Sequence, residues 1–418
     1  MSQNSYMKKI GKNAVNSLKQ VSEINIKKKN SVLKLFSNLL KKYSKKILKA
    51  NKRDLLEVQK NKKYNIDRLS LDKEKINKIR KSLKEIINFK DPVGKTLSAW
   101  KRPNGIVIKK ISIPLGVIGV IYESRPNVTA DVAALCFKTG NPVILRGGSE
   151  AYYSNKIISD LFRKALVKKK CNKNFVQFIK NKDRKHVDYL LSKMKKYVDI
   201  IVPRGGKNLV KKVQAKSKVP IIGHLEGICH VYIDVDADID MSIKIVKNAK
   251  MRNFSICGAA ETLLIDRKCL VTHCKPILNE LFRTGCEIIG DGTIKKYFGN
   301  KMKIASDNDW NTEYLAPKIS VKTVDGVEDA IDHINKYGTS HTDTIVTKNK
   351  KAAKKFLLNV KSSIAIHNAS TQFADGSEFG FGAEIGISTE RLHPRGPVGL
   401  NQLTTYKYML YGKGQIRK

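Results

Sequence analysis

The sequence predicts an α/β protein built on mainly parallel sheets, and three observations carry that reading. Strand-like and helix-like segments alternate from about residue 117 onward, the strands are continuous apolar runs, and glycine-rich turns follow several of them. An unbroken apolar run marks a strand covered on both faces, and alternation with helices leads to a parallel sheet flanked by helices. The 418 residues suffice for two to three domains, at about 150 residues each. A hydrophobic content of 41% supplies their cores.

Residues 6–89 read as helical. Val32, Leu35, Phe36 and Leu39 recur at i, i+3, i+4 and i+7 with lysines between them, the stripe of an amphipathic helix. Asp91-Pro92-Val93-Gly94 closes this region, because proline restricts the residue before it and glycine permits a turn. A β-like run, 106–113, precedes Pro114-Leu115-Gly116. Val117 to Tyr122 is then a strand, Asn127 to Lys138 a helix, and Pro142 to Leu145 a strand. Gly147-Gly148 opens a helix from Ser149 to Lys168. Val198 to Val202 is a strand ending in Pro203-Arg204-Gly205-Gly206, ahead of another basic helix. Val219 to Ile222 and Val231 to Ile233 are expected to complete the series. A second strand–helix set runs from about 262 to 366, and a glycine-rich tail covers 373–418. No internal repeat of fixed period is present.

Lys and Arg total 81 and Asp and Glu 37, so the formal net charge is 81 − 37 = +44. Such an excess ordinarily points to nucleic acid or an anionic surface. Its distribution argues otherwise: residues 1–100 hold 27 basic and 8 acidic side chains, whereas 111–150 hold 3 of each. The lysines accompany helix faces, and few aromatics stand among them to stack on bases. Solvated lysine-rich helices are the expectation, with no nucleic-acid and no membrane partner. No stretch reaches the ~20 apolar residues of a membrane span, and Lys8 and Lys9 are followed by no apolar signal region. Seven scattered cysteines with no export signal suggest reduced thiols and a cytoplasmic location.

Three turns have the composition of phosphate cradles: Arg146-Gly147-Gly148-Ser149, Pro203-Arg204-Gly205-Gly206 and Ser124-Arg125-Pro126-Asn127. Glycine lets backbone amides approach an anion, a helix N-terminus adds a favourable dipole, and arginine offers paired donors to phosphate. Two glycine turns beside arginines in one parallel-sheet region favour a nucleotide. Yet no G-x-G-x-x-G follows a strand and no P-loop occurs, so a dinucleotide would bind without the usual fingerprint. Among the cysteines, Cys257 has the most suggestive setting. It lies between a helix at about 238–251 and a strand from Glu261 to Ile265, with Gly258, Ala259 and Ala260 leaving room for a substrate and a backbone amide. Cys136 and Cys229 read as buried apolar filler. Cys269, His273 and Cys274 lack the second ligand pair of a metal site, so no metal is expected. The eight histidines form no H-E-x-x-H and no evident Cys–His pair.

At this point longer blocks match a known family. Ile113-Pro114-Leu115-Gly116-Val117-Ile118-Gly119-Val120-Ile121-Tyr122-Glu123-Ser124-Arg125-Pro126-Asn127-Val128-Thr129 resembles the signature of the γ-glutamyl phosphate reductases. So do Val143 through Ala151, Ile201 through Gly206, and His224-Leu225-Glu226-Gly227-Ile228-Cys229-His230-Val231-Tyr232. The tail, with Gly382-Ala383-Glu384-Ile385-Gly386, His393-Pro394-Arg395-Gly396-Pro397 and Leu403 through Tyr408, is similar almost residue for residue. These blocks cover about half the chain, in the expected order. The family belongs to the aldehyde dehydrogenase superfamily, which binds NAD(P) without the glycine fingerprint.

The resemblance implies an aldehyde dehydrogenase-like α/β fold of two parallel-sheet domains plus a β-hairpin oligomerisation element. Residues 1–95 and 115–228 would form the NADP-binding domain and 229–366 the catalytic domain. Residues 96–114 and 385–418 would form the oligomerisation hairpin and C-terminal segment. Cys257 matches the nucleophile, Asn127 the oxyanion-stabilising asparagine, and Glu313 the glutamate that holds the nicotinamide ribose. Where the family usually has asparagine directly after the cysteine, Gly258 stands here. Arg146, Gly147, Ser149, Pro203, Arg204, Gly205 and Gly206 are expected at the cofactor, with Arg146 meeting the 2′-phosphate of NADPH/NADP. Arg125 and Arg395 are candidates for the substrate carboxylate.

The implied reaction is reduction of L-glutamyl 5-phosphate to the semialdehyde through a cysteine thioester, the second step of proline biosynthesis. Oxidative relatives need a glutamate to activate water; His224 falls in that register, and Glu226 competes for it. A homo-oligomer is implied, paired through 106–113 and Leu403 to Leu410, with functional coupling to glutamate 5-kinase. An oxidative aldehyde dehydrogenase for another aldehyde, or a basic nucleic-acid-binding protein, are the competing readings.

Overall fold

The helices of the N-terminal region start where side-chain caps start them and stay where apolar stripes are buried. In the computed structural model, which describes residues 2–59, 66–123 and 125–417, Ser2, Asn25 and Asp72 cap the helices Gln3–Leu18, Ile26–Lys42 and Lys73–Asn88. Each cap oxygen accepts a backbone N–H three residues on, meeting a donor that the helix leaves unpaired. Val32, Leu33, Phe36 and Leu39 are buried, while the neighbouring lysines mostly face solvent. Lys29 is the buried exception, and it is neutralised by Asp91 at 2.7 Å.

These helices belong to a first compact unit made of residues 1–223, 380–386 and 398–418. Strands β1 (Thr96–Lys101) and β2 (Val107–Pro114) form an antiparallel hairpin, and the C-terminal strand Thr404–Tyr411 pairs with the other side of β2. The main sheet of this unit is parallel and contains β3 (Ile118–Tyr122), β4 (Val143–Gly147), β5 (Val176–Phe178) and β6 (Ile200–Arg204), in the order β5-β4-β3-β6. Every residue of β3 and β4 is buried, as an unbroken apolar run requires. The expected strand Val219–Ile222 contributes only one bridge, Ile201 to Ile221, because Pro220 has no N–H to donate to a ladder. Val231–Ile233 forms a strand in the second unit.

That second unit comprises residues 224–379 and 387–397. Its strands are β7 (Cys229–Ile233), β8 (Ala260–Asp266), β9 (Glu287–Gly290), β10 (Lys303–Ile304), β11 (Lys318–Val324), β12 (Thr342–Val346) and β13 (Ile364–His367). They make one parallel sheet in the order β10-β9-β11-β8-β7-β12-β13, with fully buried β7 and β8 at its centre. The tail is divided, contrary to a single 385–418 segment. Ile387–Ser388 and Gly396–Pro397 pair within the second unit. Ile385 and Gly386 instead exchange backbone bonds with Val398 in the first. Among the described residues no helix is long and apolar enough to cross a membrane.

Candidate active site

In the first unit, register sets the candidate cofactor turns side by side. Tyr122 of β3 is paired with Gly147 of β4 and with Arg204 of β6, so the loops leaving all three strands open at one sheet edge, where ligands of open α/β sheets bind. A cleft of about 550 Å³ opens there and includes Arg146, Gly147 and Ser149 in its lining. Lys182, Arg184 and Lys212 bring its cations to four, against Glu123 and Glu150. Its size suits a small-molecule pocket, and its charge suits a phosphate-bearing ligand.

The turns need their glycines for packing. A β-carbon at Gly147 would stand 2.2 Å from the Asn155 side chain, and one at Gly205 2.5 Å from Glu123 Oε2. The Gly206 N–H donates to Glu123 at 2.9 Å, so this turn already holds a carboxylate. Arg146 is nearly buried and donates to the carbonyls of Gly147 and Lys182, bonds that brace the turn it precedes. Pro203 is buried, and Arg204 lies 4.0 Å from Glu384. Ser124, from the third expected turn, lies outside the described residues. Arg125 precedes the helix Pro126–Lys138, and Asn127, exposed in its first turn, donates to Asp131 at 3.4 Å. Burial pushes the Asp131 carboxyl up to about 6, opposed by hydrogen bonds from Ser82 and Asn127.

In the second unit, Cys257 sits on the loop between the helix Ile239–Met251 and β8. The two ends of this loop are tied by Lys250 and Glu261, both fully buried and 2.5 Å apart. Gln372 supports the loop from outside, donating to the carbonyls of Ala249 and Asn253 and accepting from Arg252. Six of the seven cysteines are buried, and Cys257 is the partly exposed one. Burial raises the thiol of Cys229 well above its usual range, which keeps it protonated. Cys229 donates to the Cys257 carbonyl at 3.1 Å and so orients the loop.

Two imidazoles flank the Cys257 sulfur. The sulfur and one nitrogen each of His224 and His341 lie within 4.8 Å of one another. His224 Nδ1 faces the Ile387 carbonyl at 2.9 Å, and since a carbonyl oxygen only accepts, Nδ1 carries a proton there. His341 Nδ1 is engaged by Thr342 Oγ1 at 2.9 Å and Cys229 Sγ at 3.5 Å. Glu313 also belongs here: its carboxylate accepts the Gly227 N–H at 2.9 Å, and Gly227 packs directly on the Cys257 backbone. Arg395 is exposed and donates to the Lys361 carbonyl at 2.6 Å. At Gly258 a β-carbon would meet the Thr371 carbonyl at 3.2 Å, and the backbone there is not left-handed. A side chain therefore fits with a small adjustment.

The histidine pair escaped sequence reasoning. His224 lies 257 − 224 = 33 residues before the cysteine and His341 lies 341 − 257 = 84 after it, so no local spacing signals them. The only cue was the register of His224. In space His224 stands beside the sulfur, and among the described residues no carboxylate joins that cluster.

The chain matches the aldehyde dehydrogenase family profile over residues 1–284. A gamma-glutamyl phosphate reductase of Parvibaculum lavamentivorans is 51% identical over 352 residues, 84% of this chain and 83% of its own length. One from Brucella suis biovar 1 is 46% identical over 413 residues, 98% of each chain. The crystal structure of gamma-glutamyl phosphate reductase from Thermotoga maritima has a TM-score of 0.96 at 37% identity, covering 99% of this chain and 100% of that one. An engineered glycolyl-CoA reductase with bound NADP+ shares the fold, with a TM-score of 0.67 at 16% identity over 96% of each chain.

Proposed function

The chain belongs to the aldehyde dehydrogenase family and, within it, to the gamma-glutamyl phosphate reductases, and on that premise we propose how its own residues carry the reaction. The activity is reduction of L-glutamyl 5-phosphate to L-glutamate 5-semialdehyde, the second step of proline biosynthesis. The family works with NAD(P). NADPH is our assignment, with Arg146, Gly147, Ser149 and the Pro203-Arg204-Gly205-Gly206 turn holding it. The fit is chemical: the cleft at the Arg146-Gly147-Gly148-Ser149 turn carries four cations, which suit a cofactor with an additional phosphate.

Cys257 is the nucleophile in this reading, and the observation that carries it is its singular exposure among seven cysteines beside two imidazoles. The thiolate attacks the acyl carbon of the substrate, the carbonyl π electrons move onto oxygen, and Asn127 stabilises that oxyanion. Re-forming the carbonyl expels phosphate, an anion that leaves readily, and a thioester remains on Cys257. The bound cofactor supplies the hydride that reduces this thioester. Hydride addition leaves the tetrahedral adduct on Cys257 as its oxyanion, and re-forming the carbonyl breaks the carbon–sulfur bond, releasing the semialdehyde and the Cys257 thiolate. No step activates water, so the reaction needs no general base beside the sulfur. Glu313 holds the Gly227 amide and, through the resemblance, the nicotinamide ribose. Arg125 and Arg395 remain our candidates for the substrate carboxylate. The enzyme is proposed to act in the cytoplasm as a homo-oligomer, receiving its labile substrate from glutamate 5-kinase.

The test is the reverse assay, semialdehyde plus phosphate plus NADP+, on the wild type and on Cys257→Ala. Reduction of NADP+ should depend on phosphate and vanish in the variant. Turnover that survives without the sulfur, or that proceeds without phosphate, would refute the mechanism.

A further inference from the structure

The cluster at Cys257 has a second chemical capacity. One thiol and two imidazoles are the donor set of a tetrahedral zinc site that keeps one position open. Metal-binding histidines usually have the other ring nitrogen held by a carbonyl or similar partner, which aims the ring. Both rings here have that arrangement at Nδ1, His224 on the Ile387 carbonyl and His341 on Thr342 Oγ1. His341 is fully buried and its Nε2 has no hydrogen-bond partner, an orphaned buried nitrogen that a bound cation would satisfy on displacing any proton it carries.

We propose that Cys257, His224 and His341 form a reversible binding site for a borderline-soft divalent cation, Zn2+ foremost, which silences the enzyme by taking the Cys257 sulfur. Binding replaces the thiol proton with a metal–sulfur bond and releases that proton to solvent; nothing is oxidised or reduced. The donor atoms now lie within 4.8 Å of one another. Bond lengths of about 2.3 Å to sulfur and 2.0–2.1 Å to nitrogen place tetrahedral ligand atoms roughly 3.3–3.6 Å apart. Side-chain movements of about 1 Å close the site. With two nitrogens and a sulfur, it discriminates against Mg2+ and Ca2+, which require oxygen ligands. The silencing rests on Cys257 being the nucleophile proposed above, whereas metal binding itself stands whether or not Cys257 forms a thioester.

The experiment uses the full chain, freed of metal with a chelator and then titrated with ZnCl2 in the absence of substrate. Expected are one Zn2+ bound per chain, protection of the Cys257 peptide from iodoacetamide in mass spectrometry, and recovery of alkylation with EDTA. Mg2+ should have no effect. Co2+ in place of Zn2+ should give the intense visible bands of a tetrahedral site, a readout on the unaltered protein. His224→Ala and His341→Ala should each weaken Zn2+ binding by about tenfold or more, with circular dichroism confirming their folds. Unprotected Cys257 at saturating Zn2+, a weak octahedral Co2+ spectrum, or unchanged affinity in a folded histidine variant would each overturn the proposal.

Discussion

Gly227 lies directly against Cys257: a β-carbon at this glycine would stand 2.1 Å from the Cys257 carbonyl oxygen and 2.8 Å from its Cα. The same glycine donates its N–H to Glu313. One small residue therefore sets the spacing between the loop that bears the sulfur and the carboxylate assigned to the cofactor.

Gly227→Ala must push the Cys257 backbone out of place. Displacing a reacting group by about 1 Å costs about 10²-fold in rate, so kcat should fall by about that factor while the protein still folds. Steady-state kinetics beside a thermal melt separate the two effects. A folded variant with wild-type kcat would show that this contact does not position the sulfur.

Charge in the cleft should discriminate between the two nicotinamide cofactors. Arg146→Ala should raise KM for NADPH far more than for NADH. Arg146 also braces its own turn, so Arg184→Ala is the cleaner probe, since it leaves those carbonyl bonds intact. A charged contact to phosphate is worth about 1.5–3 kcal/mol, or roughly 10- to 100-fold in KM for NADPH. Equal changes for both cofactors would remove the argument for NADPH.

The Lys250–Glu261 pair anchors both ends of the cysteine loop and is entirely out of water. Burial pushes Glu261 up to about 7 against the pull of Lys250. Removing one partner strands the other, at a cost of about 3–5 kcal/mol, so Glu261→Gln should be strongly destabilised in urea. Lys250→Met combined with Glu261→Gln should regain most of that loss, because neither residue then carries a buried charge. Failure of the double variant to recover would mean that the ion pair itself is indispensable.

Asp131 predicts a pH dependence. Its folded-state pKa of about 6 lies above the ordinary aspartate value, so the native state holds this proton more tightly than the unfolded chain. Its contribution to stability is complete below the unfolded pKa of about 3.9. That contribution is lost as pH rises through about 6. Asp131→Asn should flatten stability over this window, measured as urea midpoints at successive pH values. An unchanged slope would place the titration elsewhere.

Local pattern alone determined much of this molecule. The lysine-spaced stripe around Phe36, the apolar runs of β3 and β4, and the breaks at Pro92 and Gly148 are each set by neighbours along the chain. Cys257 stood out for a similar reason, as small residues beside it predict an open loop. Tertiary structure alone decided the rest. Val231–Ile233 has the same apolar run as β3, and local pattern does not say which sheet takes it; the strand pairing places it at the centre of the second. His224 and His341 meet at the sulfur because β7, β8 and β12 are neighbours in that sheet, while the chain separates them by 341 − 224 = 117 residues. Periodicity encodes which face of an element is buried, but the partner across that face is selected by packing of the whole sheet.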